Sequence, residues 1–80
     1  MKVLFYGRLA EAIGPELEVD AGLGCSVAEL RKQLVTDHPH AEEALQNNRT
    51  RTVVGDTLVP DNYCLAAGDT LEFLPPVSGG

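Results

Sequence analysis

One amphipathic helix restricts what this chain of 80 residues can fold into. Ser26 and Glu29 form the capping-box pattern that marks the start of a helix, with Ser26 as the N-cap. His38-Pro39 ends the helix, because a residue that precedes proline avoids α geometry. The apolar residues spaced as one buried stripe are Val27, Leu30 and Leu34. The polar residues assigned to the solvated face are Arg31, Lys32 and Gln33. A second layer must therefore cover the stripe.

Short β-prone segments supply this second layer. The predicted strands are residues 3–6, 16–20, 51–54, 57–59 and 70–74. The second strand alternates polar and apolar residues throughout, which is typical of a half-buried strand. Gly55-Asp56 separates the third and fourth strands and favours a tight hairpin turn. Short helical turns are expected at residues 8–13 and 41–45, and Leu65 is the expected anchor of the link at 63–67.

This order of elements indicates an α+β fold, in which a main helix covers one face of a mixed sheet of four or five strands. The first and last strands are expected to be central neighbours, since both are apolar on both faces. The order matches the β-grasp, or ubiquitin-like, arrangement. The residues expected on the covered face are Val3, Phe5, Leu17, Val19, Leu71 and Phe73.

The opposite face of the sheet is also partly apolar. Alternation along the strands assigns Leu4, Tyr6, Leu58 and Leu74 to it. Soluble monomers seldom expose a contiguous apolar patch, so this group predicts a partner surface. The alternative is that the short helix at 8–13, or a loop, covers the patch.

Composition limits the cellular compartment and the classes of partner that we expect for this chain. The net charge of −6 argues against nucleic-acid binding and favours a partner with a basic surface. The apolar run at 3–6 is too short for a signal-peptide core or a membrane span, so we expect a cytoplasmic protein with no membrane partner. Cys25 and Cys64 form no C-x-x-C motif and are expected to be buried or half-buried free thiols, with one disulfide as the alternative.

No group of residues in the sequence is typical of a catalytic centre. Asp37, His38 and His40 lie in a loop broken by proline, and their spacing matches no zinc site. Glu42-Glu43 is interpreted as a solvated helix face rather than an acid–base pair. The sequence therefore predicts neither a metal site nor a bound cofactor.

The C-terminal segment is the chemically unusual feature. Pro75-Pro76 ends the last strand, because proline donates no hydrogen bond and fixes φ. The small residues that follow are Val77, Ser78, Gly79 and Gly80. A diglycine carboxylate is an unhindered acyl group that an enzyme can reach and adenylate, whereas the alternative is an ordinary frayed terminus. We therefore expect a domain at residues 1–75 and an extended tail at 76–80.

These residues resemble a known family, the small subunit of molybdopterin synthase. The similarity lies in Lys2 to Glu11, in Val27-Ala28-Glu29-Leu30, and above all in the segment from Gly68 through Phe73-Leu74-Pro75-Pro76-Val77-Ser78-Gly79-Gly80. Diglycine alone is shared with thiamine sulfur carriers and ubiquitin-like modifiers. The longer tail motif is more specific, and the resemblance spans nearly the whole chain.

The resemblance implies a sulfur carrier with no catalysis of its own. A ubiquitin-activating-like adenylyltransferase would use ATP to adenylate Gly80, and a sulfur donor protein would convert the acyl adenylate to a thiocarboxylate. The tail, Pro75 to Gly79, would insert into the large subunit, where the sulfur would pass to cyclic pyranopterin monophosphate. The implied interface residues are Tyr6, Leu58 and Leu74.

Three alternatives stay open at the level of sequence. The chain could carry sulfur for thiamine synthesis or another pathway, or modify proteins through an isopeptide bond from Gly80 to a lysine. It could also be a passive ubiquitin-like binding domain whose tail has no chemical role.

Overall fold

The computed structural model describes residues 1–19, 26–47 and 49–75. Its strands are β1 (Lys2–Phe5), β2 (Glu16–Glu18), β3 (Arg51–Val54), β4 (Thr57–Val59) and β5 (Thr70–Leu74). Its helices are α1 (Arg8–Ile13), α2 (Val27–Asp37) and α3 (Glu42–Gln46), and a 3₁₀ turn at Pro39–Ala41 precedes α3. No helix in these ranges is long and apolar enough to cross a membrane.

The five strands form one mixed sheet in the order β2-β1-β5-β3-β4. β1 and β5 are parallel neighbours at its centre, and the other three pairings are antiparallel. The predicted α+β fold and the central position of the first and last strands are thus confirmed. The β3–β4 turn has φ of 53° at Gly55 and 68° at Asp56, the paired positive values of a tight hairpin turn.

The core lies between one face of the sheet and α2. Phe5 and Phe73, opposite each other on β1 and β5, stack with ring centroids 5.6 Å apart. Val27, Leu30 and Leu34 of α2 are buried, as predicted, while Leu17 and Val19 are only partly buried at its margin. Leu65 is buried as the predicted anchor.

The N-terminus of α2 is fully capped. Ser26 Oγ accepts from the Glu29 amide at 3.2 Å, and the Glu29 carboxylate accepts from the Ser26 amide at 3.2 Å. The amides of Val27 and Ala28 donate to the carbonyls of Tyr63 and Asp61. These bonds satisfy amide groups that a helix leaves unpaired and join α2 to the loop before β5.

The assignment of Arg31 to the solvated face was wrong. The side chain is buried, with Nη1 donating to the Leu45 carbonyl at 2.5 Å and Nη2 to the Thr50 carbonyl at 2.8 Å. Nε lies 3.2 Å from an Asp61 oxygen as an ion pair, without the alignment of a hydrogen bond. The guanidinium carbon is 5.5 Å from the centre of the Phe73 ring. Arg31 therefore links α2, α3 and the start of β3 across the core.

The expectation of buried thiols was also wrong for Cys64, which is exposed. Its backbone pairs with Ser26 in an isolated antiparallel bridge. Extended residues alternate in direction, so the neighbouring Leu65 enters the core while Cys64 faces solvent. Cys25 lies outside the described residues.

Candidate functional site

The outer face of the sheet, opposite α2, carries the four apolar residues that alternation assigned to it. We call Leu4, Tyr6, Leu58 and Leu74 the outer-face patch. Leu58 is 62% exposed and Tyr6 is 39% exposed, whereas Leu4 and Leu74 are half-buried. Register places Val53 of β3 directly opposite Leu58 of β4, so a further apolar side chain lies beside the patch.

The short helix α1 does not cover the outer-face patch. Leu9 of α1 is buried in the core, on the α2 side of the sheet. An imidazole nitrogen of His40, in the 3₁₀ turn, lies 2.7 Å from the Ala12 carbonyl and connects α1 to that same side. An unspecified loop was the other expected cover, and residues 20–25 and 48 lie outside the described residues.

The patch is continuous with the base of the tail. Phe5 of β1 is in register with Phe73 of β5, and the chain continues along both strands to Gly7 and Pro75. A Cβ atom added to Gly7 would lie 3.2 Å from Cγ of Pro75, so glycine permits this close approach. Gly7 has φ of 61° and ψ of −132°, a combination that other residues rarely adopt. Pro75 therefore leaves the sheet beside Tyr6 and Leu74.

The predicted tail, residues 76–80, lies beyond the last residue that the structure describes. That last described residue is Pro75, which is exposed. Pro76, Val77, Ser78, Gly79 and Gly80 lie outside the described residues, so their predicted role in insertion and acyl transfer stays a prediction. The same holds for the division of the chain at 75.

A carboxylate lies in the middle of the outer face. Glu72 of β5 stands between Leu4 of β1 and Val53 of β3 in register, and its Oε2 accepts a hydrogen bond of 2.7 Å from the Tyr6 hydroxyl. That hydrogen bond, partial burial and the negative charge of Glu72 raise the pKa of Tyr6 above its usual value of 10.0. Tyr6 is therefore a neutral donor to Glu72 near neutral pH.

The hydrogen bond between Tyr6 and Glu72 predicts how the pKa of Tyr6 changes when Glu72 is replaced. Glu72→Gln should lower the pKa of Tyr6 towards 10, because the charged acceptor that holds the proton is lost. Since the pKa is raised on folding, the stabilisation by this bond is present below about pH 10 and is lost as the pH rises through the raised value. Absorbance titration in a Tyr63→Phe background reports Tyr6 alone, and Glu43→Gln, on α3, is the matched control. An unchanged pKa in Glu72→Gln would contradict the bond.

The candidate metal ligands do not form a cluster. The rings of His38 and His40 are edge to face at 6.1 Å, and His40 is occupied by the Ala12 carbonyl. In the described ranges, no three His, Cys, Asp or Glu side chains are grouped so that they could hold a metal ion. Glu42 and Glu43 are exposed on α3, in agreement with a solvated helix face.

Two residues of this site, Glu72 and Gly7, were not singled out from the sequence. Alternation along β5 was a sufficient signal for Glu72, because a strand that turns Leu74 outward also turns Glu72 outward. The close approach of Gly7 to Pro75 had no signal beyond the glycine itself, since it depends on the parallel pairing of strands far apart in sequence.

The sequence matches the model of the ThiS family over residues 3–80. The molybdopterin synthase sulfur carrier subunit of Escherichia coli is 31% identical over 80 residues, which cover 100% of this chain and 99% of the relative. The molybdopterin synthase sulfur carrier subunit of Mycobacterium tuberculosis is 32% identical over 82 residues, which cover 100% of this chain and 96% of the relative.

Solved structures share the fold. SAMP1 from Haloferax volcanii superposes with a TM-score of 0.75 at 26% identity, covering 99% of this chain and 97% of that one. A putative molybdopterin converting factor, subunit 1, from Pyrococcus furiosus superposes with a TM-score of 0.81 at 23% sequence identity, and the match covers 95% of each chain. The complex of subunits 1 and 2 of molybdopterin-converting factor from Helicobacter pylori contains a chain that superposes with a TM-score of 0.65 at 24% sequence identity. The match covers 99% of this chain and 96% of that one. With its five-stranded β-grasp sheet and a sequence that matches from residue 3 to residue 80, the chain belongs to the ThiS family.

Proposed function

We propose that this chain is the sulfur carrier subunit of a molybdopterin synthase. The observation that carries the proposal is the continuity of the outer-face patch with Pro75. A partner that covers Tyr6 and Leu74 also holds the base of the tail and fixes the direction in which the tail leaves the sheet. The similarity to curated sulfur carrier subunits along the whole chain supports the same function.

The chemistry proposed for the tail proceeds in two steps before transfer. The α-carboxylate of Gly80 attacks the α-phosphate of ATP on a ubiquitin-activating-like adenylyltransferase, and pyrophosphate leaves. Sulfur at the sulfide level, delivered by a donor protein, then displaces AMP from the acyl carbon and leaves a thiocarboxylate. Gly79 and Gly80 carry no side chains, so the acyl carbon is open to attack and fits a narrow channel.

The partner proposed for the outer-face patch is the large subunit of the synthase. In this proposal the tail enters the large subunit's active site. There the thiocarboxylate sulfur bonds to a carbon of cyclic pyranopterin monophosphate as an oxygen group leaves that carbon, and water then cleaves the acyl–sulfur bond and restores the carboxylate. The Helicobacter pylori structure, described as a complex of subunits 1 and 2, supports an assembly of this kind. The large subunit would supply the catalytic side chains, and this chain would supply the sulfur.

Intact mass spectrometry tests the proposal. After incubation with ATP, the adenylyltransferase and the sulfur donor, the chain should exchange one oxygen for sulfur, and the change should be confined to the C-terminal peptide. The control is the double variant Cys25→Ser, Cys64→Ser, which must gain the same mass because the sulfur is not on a thiol. A chain that never gains this mass, or that forms lysine adducts in its place, would contradict the proposal.

A charge placed in the outer-face patch should weaken the complex with the large subunit. Leu58→Asp leaves the fold intact because Leu58 is 62% exposed, yet it would bury an unpaired carboxylate in the interface. We expect a loss of binding free energy on the order of 2–5 kcal/mol by titration calorimetry.

The matched control for Leu58→Asp is Thr57→Asp. Thr57 is an exposed neighbour on β4 that pairs with Val54, so it faces away from the patch. The two variants have the same charge. Equal affinities for the large subunit would show that the patch is not the interface.

A further inference from the structure

The outer-face patch is not uniformly apolar, because Glu72 stands inside it. Register aligns Leu4, Glu72, Val53 and Leu58 in one row across β1, β5, β3 and β4. Leu74 follows Glu72 by two residues on the same face of β5. A partner that covers the leucines on both sides of Glu72 must also cover its carboxylate.

Glu72 differs from the other carboxylates of this face in its partner. On β2, Glu16 pairs with the Lys2 ammonium at 3.6 Å, and Glu18 pairs with the N-terminal ammonium at 3.4 Å. Glu72 is bonded only to the neutral hydroxyl of Tyr6 among the contacts of the described residues. Arg51 lies on the same face of β3, opposite Leu74, but it forms no ion pair with Glu72 in the described part of the chain.

Covering Glu72 without a cation would be costly. A carboxylate removed from water loses its hydration, and one hydrogen bond from a neutral phenol does not replace it. The hydroxyl of Tyr6 occupies Oε2, which leaves Oε1 and the full negative charge for another group. The net charge of −6 adds a long-range attraction towards a basic surface.

We propose that the partner subunit places a lysine or arginine side chain against Glu72 when it covers the outer-face patch. This inference rests on the proposed function, because it takes the large subunit as the occupant. In it, Tyr6 is a positioning residue that holds the carboxylate of Glu72 towards the cation. The surrounding leucines exclude water, which strengthens the ion pair, and the pair selects partners that bring a positive charge to this point.

Titration calorimetry with the large subunit from the same organism tests the inference with two variants of equal charge. Glu72→Gln keeps the size and an acceptor oxygen but removes the charge, and Glu43→Gln makes the same change on the exposed surface of α3. We expect Glu72→Gln to raise Kd at least about tenfold and Glu43→Gln to change it by less than about twofold. Replacement of the partner's basic residues one at a time should identify one whose loss has no further effect in Glu72→Gln.

The outcomes separate this inference from the proposed function. If the wild-type chain does not bind the large subunit, both fail. If the wild type binds and Glu72→Gln behaves like Glu43→Gln, the inference alone is wrong. It is also wrong if Glu72→Gln binds more tightly, since the carboxylate then only opposes association. An equal and non-additive loss in Arg51→Gln would show that Arg51 of this chain, rather than the partner, supplies the cation.

Discussion

Removal of Gly80 is expected to abolish sulfur transfer while the domain remains folded. In the proposed reaction the α-carboxylate of Gly80 is the group that is adenylated and thiolated. Deletion moves the terminal carboxylate back by about 3.3–3.6 Å along an extended tail. Because a misplacement of about 1 Å can lower a rate about a hundredfold, neither the adenylated nor the thiolated form should reach its reaction partner.

The same reasoning predicts that one alanine added after Gly80 is as harmful as the deletion. Both variants change residues beyond the described core, whose last buried residue is Phe73, so thermal unfolding should be unchanged. The measurement is sulfur transfer to cyclic pyranopterin monophosphate, which in the proposed reaction is repeated to build a dithiolene, with the complete set of partner proteins. A shortened chain that still supports dithiolene formation would overturn the carrier mechanism.

These two changes also separate chemistry from docking. The outer-face patch is unaltered in both variants, so affinity for the large subunit should depend mainly on Leu58, Leu74 and Glu72. Leu58→Asp should produce the opposite result, in which the chain is still thiocarboxylated but binds the large subunit weakly. If Leu58→Asp loses both thiocarboxylation and binding of the large subunit, docking and activation use the same surface.

Local sequence patterns were sufficient for most of the fold because the elements agree with their own propensities. The capping box at Ser26 and Glu29 set the start of α2, and Gly55-Asp56 set the hairpin turn. The apolar residues that β1 and β5 carry on both of their faces identified them as central strands. In each case the signal lies within a few residues of the feature it predicts.

The side chains that were misplaced depend on contacts between distant segments. Arg31 follows Val27 by four residues and precedes Leu34 by three, so its position already lay on the buried stripe. Because charged side chains are mostly exposed, the sequence of the helix alone predicted that Arg31 faces solvent. The carbonyls of Leu45 and Thr50 that receive its guanidinium are 14 and 19 residues away. The outward position of Glu72 follows from alternation along β5, but its hydrogen bond does not, since Tyr6 is 66 residues away.

Replacement of Arg31 is expected to cause a large loss of stability. Arg31→Met keeps an unbranched apolar stem but leaves the carbonyls of Leu45 and Thr50 without their donors, and it removes the cation near the Phe73 ring. Each of these two buried acceptors left unpaired costs about 1–3 kcal/mol, so we expect the free energy of unfolding to fall by about 2–6 kcal/mol. A domain of this size has a total stability of only about 4–12 kcal/mol.

Urea unfolding against a matched variant measures this loss. Lys32→Met removes the same charge from the adjacent, exposed position of α2, and it should change stability by no more than about 0.5 kcal/mol. Arg31→Lys retains the charge but lacks the planar fork that reaches two carbonyls at once, so it should also be destabilised. If Arg31→Met does not fold, Arg31→Lys still gives a measurable midpoint. If Arg31→Lys and Lys32→Met have the same urea midpoint, the guanidinium does not hold α2, α3 and β3 together.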